Sequence, residues 1–143
     1  TDFPIYTNQN NDVSFDITIS EQAVFDPIPT QVNTSLTESS SNVFVTSALL
    51  GNLDRNFSDA QHSVAIYPST YTGNVKIQAS CLLSTPSSDD ASADWFDVTG
   101  NIAITGASSD IVHRTFRVNV NWVRVVSYPD DANSSISQVQ LRN

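Results

Sequence analysis

Seven aspartates stand close enough in sequence to suggest acid–base chemistry: Asp89-Asp90, Asp94, Asp97, Asp110 and Asp130-Asp131. A glycoside hydrolase uses two carboxyl groups flanking a cleft, one held protonated and one ionised. Here the acids fall in serine-rich stretches such as TPSSDDASA (residues 85–93), where aspartate ordinarily bonds its own backbone and makes a turn. Asp89, Asp90 and Asp94 could supply part of a calcium shell, but no EF-hand or repeat spacing accompanies them. His62 and His113 sit at strand starts, away from any G-x-S-x-G nucleophile signature. Cys81 is the single cysteine, so no intrachain disulfide and no multi-cysteine metal site can form. Alternation puts it between Ala79 and Leu83 on an apolar face, which predicts a buried, inert thiol.

Aromatic residues are the other candidates. Tyr67, Tyr71, Trp95 and Phe96 gather around loops, and Tyr128 begins another. Two or three rings on one surface would stack on sugars, which makes Tyr71 and Trp95 the candidate glycan contacts; Phe116 and Trp122 read as core. Asn33, Asn56 and Asn133 begin N-x-S/T sequons, which carry no weight because the N-terminal residues do not read as a secretion signal. No catalytic, cofactor-binding or metal-ligating residue is assigned, and no cofactor is expected.

The elements that must hold these side chains are strands. Of 143 residues, 47 are Ser, Thr or Asn, while Glu occurs twice and Lys once, so exposed helical faces have little to be built from. Fifteen Val, ten Ile and thirteen Thr favour β-structure. Fifteen acids against six bases leave a net charge of -9, which opposes a phosphate backbone and speaks against nucleic-acid binding. No apolar run approaches the ~20 residues of a membrane-spanning helix. The chain contains no methionine, as expected if an initiator were removed ahead of Thr1.

Strands are predicted at 13–19, 43–50, 62–67, 75–83 and 136–141, with an edge strand at 31–37 and a short hairpin of 94–98 with 101–105. Tyr71-Thr72-Gly73-Asn74 reads as a turn. Residues 113–126 form the longest β run. Its apolar face switches beyond Trp122 to Val123 and Val125, which implies a bulge or burial on both sides. Seven to nine short strands without a helix predict an all-β domain, an antiparallel β-sandwich or jelly roll. Pro27 and Pro29 exclude helix and central strand in the segment before it. Residues 1–42 are therefore read as an extended arm with one or two strands, and 43–143 as the sandwich core. Such an arm can add a strand to a neighbour's sheet. Phe3, Ile5, Tyr6, Phe25 and Ile28 are its candidate partner-binding residues.

The stretch TFRVNVNWVRVVSYPDDANSSISQVQLRN (residues 115–143), together with TGNVKIQASCLLSTPSSDDASADWFDV upstream, resembles small β-sandwich structural proteins of tailed-bacteriophage virions, particularly of marine and cyanobacterial phages. There a W-V-R strand and a terminal V-x-L-R-N strand close the sandwich of decoration, neck, tail and fibre components. The likeness spans roughly residues 73–143 and brings no catalytic or ligand residues. It implies a non-enzymatic virion subunit, made in the host cytoplasm and placed on the particle surface. It further implies a homo-oligomer whose partners are the major capsid protein or tail and neck proteins, with neither nucleic acid nor membrane among them. A capsid decoration or head-fibre role is favoured, then a tail, neck or baseplate role. A carbohydrate-binding module for host attachment is the rival of a different class.

Overall fold

The computed structural model describes residues 30–51 and 60–142. The predicted strand at 13–19 and the candidate contacts Phe3, Ile5, Tyr6, Phe25 and Ile28 lie outside the described residues. Among the described residues there are eleven strands: β1 (Thr30–Asn33), β2 (Thr37–Ser40), β3 (Val43–Val45), β4 (Leu49–Leu50), β5 (Gln61–Ser69), β6 (Tyr71–Ser80), β7 (Phe96–Asp97), β8 (Ile102–Ser108), β9 (Val112–Arg117), β10 (Trp122–Pro129) and β11 (Ser135–Arg142). They form two antiparallel sheets. Sheet I has the order β1-β11-β5-β9; sheet II has the order β2-β3-β10-β6-β7, with β4 also on β10 and β8 also on β6. The all-β sandwich expected from the sequence is the fold observed.

Two of the sheet II positions are single strands broken in the middle. β3 and β4 both pair with β10, but three residues lie between Val45 and Leu49 where two lie between Val126 and Val123. The extra residue is absorbed at Thr46, whose Oγ1 accepts the Val125 N–H at 3.0 Å in place of a ladder carbonyl. Likewise β7 and β8 lie end to end along one edge of β6, separated by a turn in which Val98 N–H donates to Ile77 O at 2.8 Å. They do not form the hairpin with each other that the sequence suggested. With each broken strand counted once and β2 set aside, sheet I takes the first, eighth, third and sixth positions. Sheet II takes the second, seventh, fourth and fifth. That is the strand order of a jelly roll.

The core is what the alternation dictates. Val64 and Ile66 of β5 and Val139 and Leu141 of β11 face Val75, Ile77 and Ala79 of β6 and Val123 and Val125 of β10. Tyr71, read as a turn residue, instead starts β6 and is fully buried. Its hydroxyl donates to Asn74 O at 2.9 Å and lies 2.7 Å from Ser127 Oγ, while burial raises its pKa. The long run at 113–126 is two strands: β9 belongs to sheet I and β10 to sheet II. Residues 118–121 carry the chain across, so the switch of apolar face marks a change of sheet. Within β10, residues 123–127 are all buried, so both of its faces are covered.

β6 ends at Ser80, and this overturns one expectation. Cys81 lies beyond the strand and is exposed, its Sγ 3.8 Å from Asn119 O, and Leu83 is 95% exposed. The apolar alternation runs on in the sequence past Ser80, where the ladder with β10 stops. Phe116 is half-buried and packs against the core, whereas Trp122, read as core, lies half-buried on the outer side of β10, its Nε1 donating to Leu82 O at 3.0 Å. β1 and β2, within the segment read as an arm, pair with β11 and β3 of the same chain.

Candidate interaction surfaces

The two outer faces of the sandwich differ in cover and in charge. On sheet II, the side chains of β10 and β6 that point away from the core include Arg124 and Gln78, paired in register. Arg124 is 1% exposed, a cation inside the apolar run W-V-R-V-V. A buried charge is costly unless surrounded by dipoles. Its Nε donates to Gln78 Oε1 at 2.8 Å, and its Nη2 reaches the carbonyls of Asp89 and Asp90 at 3.3 and 3.4 Å. The guanidinium carbon stands 4.4 Å from the centroid of the Trp95 ring. Burial pulls the Arg124 pKa down, but arginine remains a cation in proteins.

This centre fastens the 84–95 segment over the outer face of sheet II. Trp95 Nε1 donates to Ser87 O at 2.7 Å, and Ser39 Oγ of β2 donates to Asp90 Oδ1 at 2.8 Å. Three of the aspartates are occupied with turn geometry. Asp89 Oδ1 accepts Ala91 N–H at 3.0 Å, Asp94 Oδ2 accepts Ser87 N–H at 3.0 Å, and Asp131 Oδ1 accepts Asn133 and Ser134 N–H, each at 3.0 Å. Two carboxylates sit below the ordinary aspartate pKa: Asp90 through its bonds to Ser39 and Ser40, and Asp97 through the Gln78 amide and then Lys76. Among the described residues no group of three His, Cys, Asp or Glu side chains could hold a metal ion.

The glycan candidates do not make a platform. Tyr71 is 0% exposed and Trp95 8%, so neither ring offers a face to a sugar. Sequence position in or beside a loop placed them at the surface; the Arg124 stack and the Ser127 contact hold them inside. His62 is also buried, its Nε2 2.9 Å from Val118 O and its ring 5.2 Å from that of Phe116. The clefts are shallow. One of about 260 Å³ opens between Leu36, Phe44, Ser127 and Ile136, and another of about 360 Å³ lies between Ser39, Val45 and the 87–89 turn.

Sheet I presents a different outer face. Register places Thr30, Ser63, Thr115 and Arg142 in one row, and Val32, Ala65, His113 and Gln140 in the next, all pointing away from the core. No acidic residue occurs in its four strands; Arg117 and Arg142 are exposed on this outer face, whereas Arg114, in register with Val64, is exposed on the opposite side of the edge strand β9. Glu38, Asp89, Asp90, Asp94 and Asp97 gather instead on sheet II and its covering segment. Acidic side chains of the described strands and of the covering segment thus lie with sheet II, while Arg117 and Arg142 lie on the outer face of sheet I.

Sequence reasoning missed the Arg124 centre and the basic sheet. The signal for the first was a lone arginine in an otherwise apolar strand, a position that demands partners. The signal for the second appears only when strands distant in sequence are assembled. The chain matches no protein-family model, and no curated protein matches its sequence.

Proposed function

We propose that this chain is a non-enzymatic structural subunit of a tailed-bacteriophage virion, a capsid decoration or head-fibre-type component that holds its neighbours through its N-terminal segment. The observation that carries this reading is the jelly-roll sandwich itself, with its carboxylates bound into turns and its buried polar side chains used to fasten the 84–95 segment. Jelly rolls serve capsid, lectin and enzyme proteins alike, so the fold alone does not choose among them. The lectin reading depends on exposed rings at Tyr71 and Trp95, and both are buried. The resemblance of residues 73–143 to phage structural proteins favours assembly.

The test follows from the strand pairing. β1 and β2 belong to the sandwich, so the N-terminal segment to remove is 1–29 rather than 1–42. The chain beginning at Thr30 keeps every described strand of both sheets and is expected to fold, yet to be missing from purified particles that contain the full chain. Incorporation of the shortened chain at the full-length level would overturn the reading.

A further inference from the structure

We propose that copies of this chain stack face to face, the exposed acidic turn of the 84–95 segment on one copy entering a groove on the outer face of sheet I of the next. The contact is separate from the N-terminal segment and does not depend on the virion reading above.

Strand register builds the groove. β5 runs between β11 and β9, and on the outer face its small Ser63 and Ala65 lie between Arg142 and Gln140 on one side and His113 on the other. Short side chains on a middle strand, flanked by long ones, leave a trough of about 230 Å³, which Thr30 of β1 also lines. Its chemistry selects an anion. Arg142 is exposed and has no hydrogen bond or ion pair among the described residues. The His113 ring and the hydroxyls of Thr30 and Ser63 add donors, and no acidic side chain lines the groove. A guanidinium pairs most strongly with a carboxylate, which it can hold through two parallel N–H donors.

The carboxylates that fit it stand on the other face of the sandwich. Asp89 and Asp94 are exposed, and each uses one oxygen within the turn: Asp89 Oδ1 accepts Ala91 N–H and Asp94 Oδ2 accepts Ser87 N–H. The second oxygen of each has no partner among the described residues. Arg124 and Trp95 already fix the segment, so its carboxylates lose little freedom on docking. A chain of net charge -9 repels its own copies in general, and a face whose strands carry no acid is where a second copy can approach. Turn and groove lie on opposite outer faces of one sandwich, so no chain can bring its own turn to its own groove. The occupant is therefore a second copy. Such a contact is heterologous, one surface on a different surface, and it repeats from copy to copy into a ring or column.

Three full-length variants test it: R142E in the groove, D89K/D94K in the turn, and D89N/D94N, which removes the charge while the amide oxygens can still accept the two turn N–H groups. Thermal melting checks each for an intact fold, and light scattering across a concentration series reads self-association. The wild-type chain is expected to associate, and each variant alone to associate at least about tenfold more weakly. An equimolar mixture of R142E and D89K/D94K is expected to recover association, because each basic surface again meets an acidic one. Recovery should be lost at high salt as the screening length falls from about 10 Å at 0.1 M to about 3 Å at 1 M. If D89K/D94K does not fold, the weakening expected of R142E and D89N/D94N still decides the matter. A wild-type chain that stays monomeric, association indifferent to R142E and D89N/D94N, or no recovery on mixing two folded variants would overturn the proposal. Association that survives in all three variants but is lost in the chain beginning at Thr30 would overturn it too, while leaving the virion reading and its N-terminal contact standing.

Discussion

The guanidinium of Arg124 lies 4.4 Å above the ring of Trp95, and through this contact a strand in the middle of sheet II holds the 84–95 segment against its outer face. The pair converts an acidic, serine-rich loop into a fixed cover. Its two members are not equivalent. Trp95→Ala removes a large buried ring and leaves a buried cation, whereas Arg124→Met removes the charge and keeps apolar volume against the ring. The expected losses are about 3 kcal/mol for Trp95→Ala and about 1 kcal/mol for Arg124→Met, measured by denaturant unfolding. Equal losses would mean that the cation is not the reason Trp95 is held.

Gly73 faces Pro129 across the β6–β10 ladder with φ at 151°, and a Cβ there would meet the Tyr128 carbonyl oxygen at 2.3 Å. Backbone cannot yield as a flexible side chain can. Gly73→Ala is expected to lower stability by about 3 kcal/mol, through strain added to an unfavourable φ. A melting temperature unchanged by the substitution would show that this end of the sheet is not formed as described.

Cys81 is expected to react with one equivalent of an aromatic disulfide reagent in the native protein, without denaturant, because it is exposed beyond the end of β6. A thiol that titrates only after unfolding would return it to the core face. The contrast shows how far the sequence could be read. Alternation through Val75, Ile77 and Ala79 was correct because the ladder with β10 runs through those residues; it failed at Cys81 and Leu83, where that ladder has ended. Periodicity also cannot reveal which sheet a strand joins, so residues 113–126 read as one strand. Aspartate in turns was legible because its partners are two or three residues away. Trp95 and Arg124 were not, since their contact joins residues far apart in the chain.

Asp97 and Asp90 titrate below the ordinary aspartate value in the folded chain, held there by the Gln78 amide and by Ser39 respectively. Their contribution to stability is therefore complete above the unfolded-state value, about pH 3.9, and is lost as pH falls through the lower folded values. Thermal melts between pH 7 and pH 2.5 should show a decline at the acid end that is shallower in Asp97→Asn. An identical decline in the variant would mean that Asp97 is not held by Gln78 and Lys76.

Comparison of purified particles carrying the full chain with particles offered the chain beginning at Thr30 decides whether this sandwich is an assembly part. The expected result is full-length protein in the particle and a folded, shortened chain left in solution. Equal incorporation of the two, or particles that contain neither, would contradict a virion subunit held by its N-terminal segment.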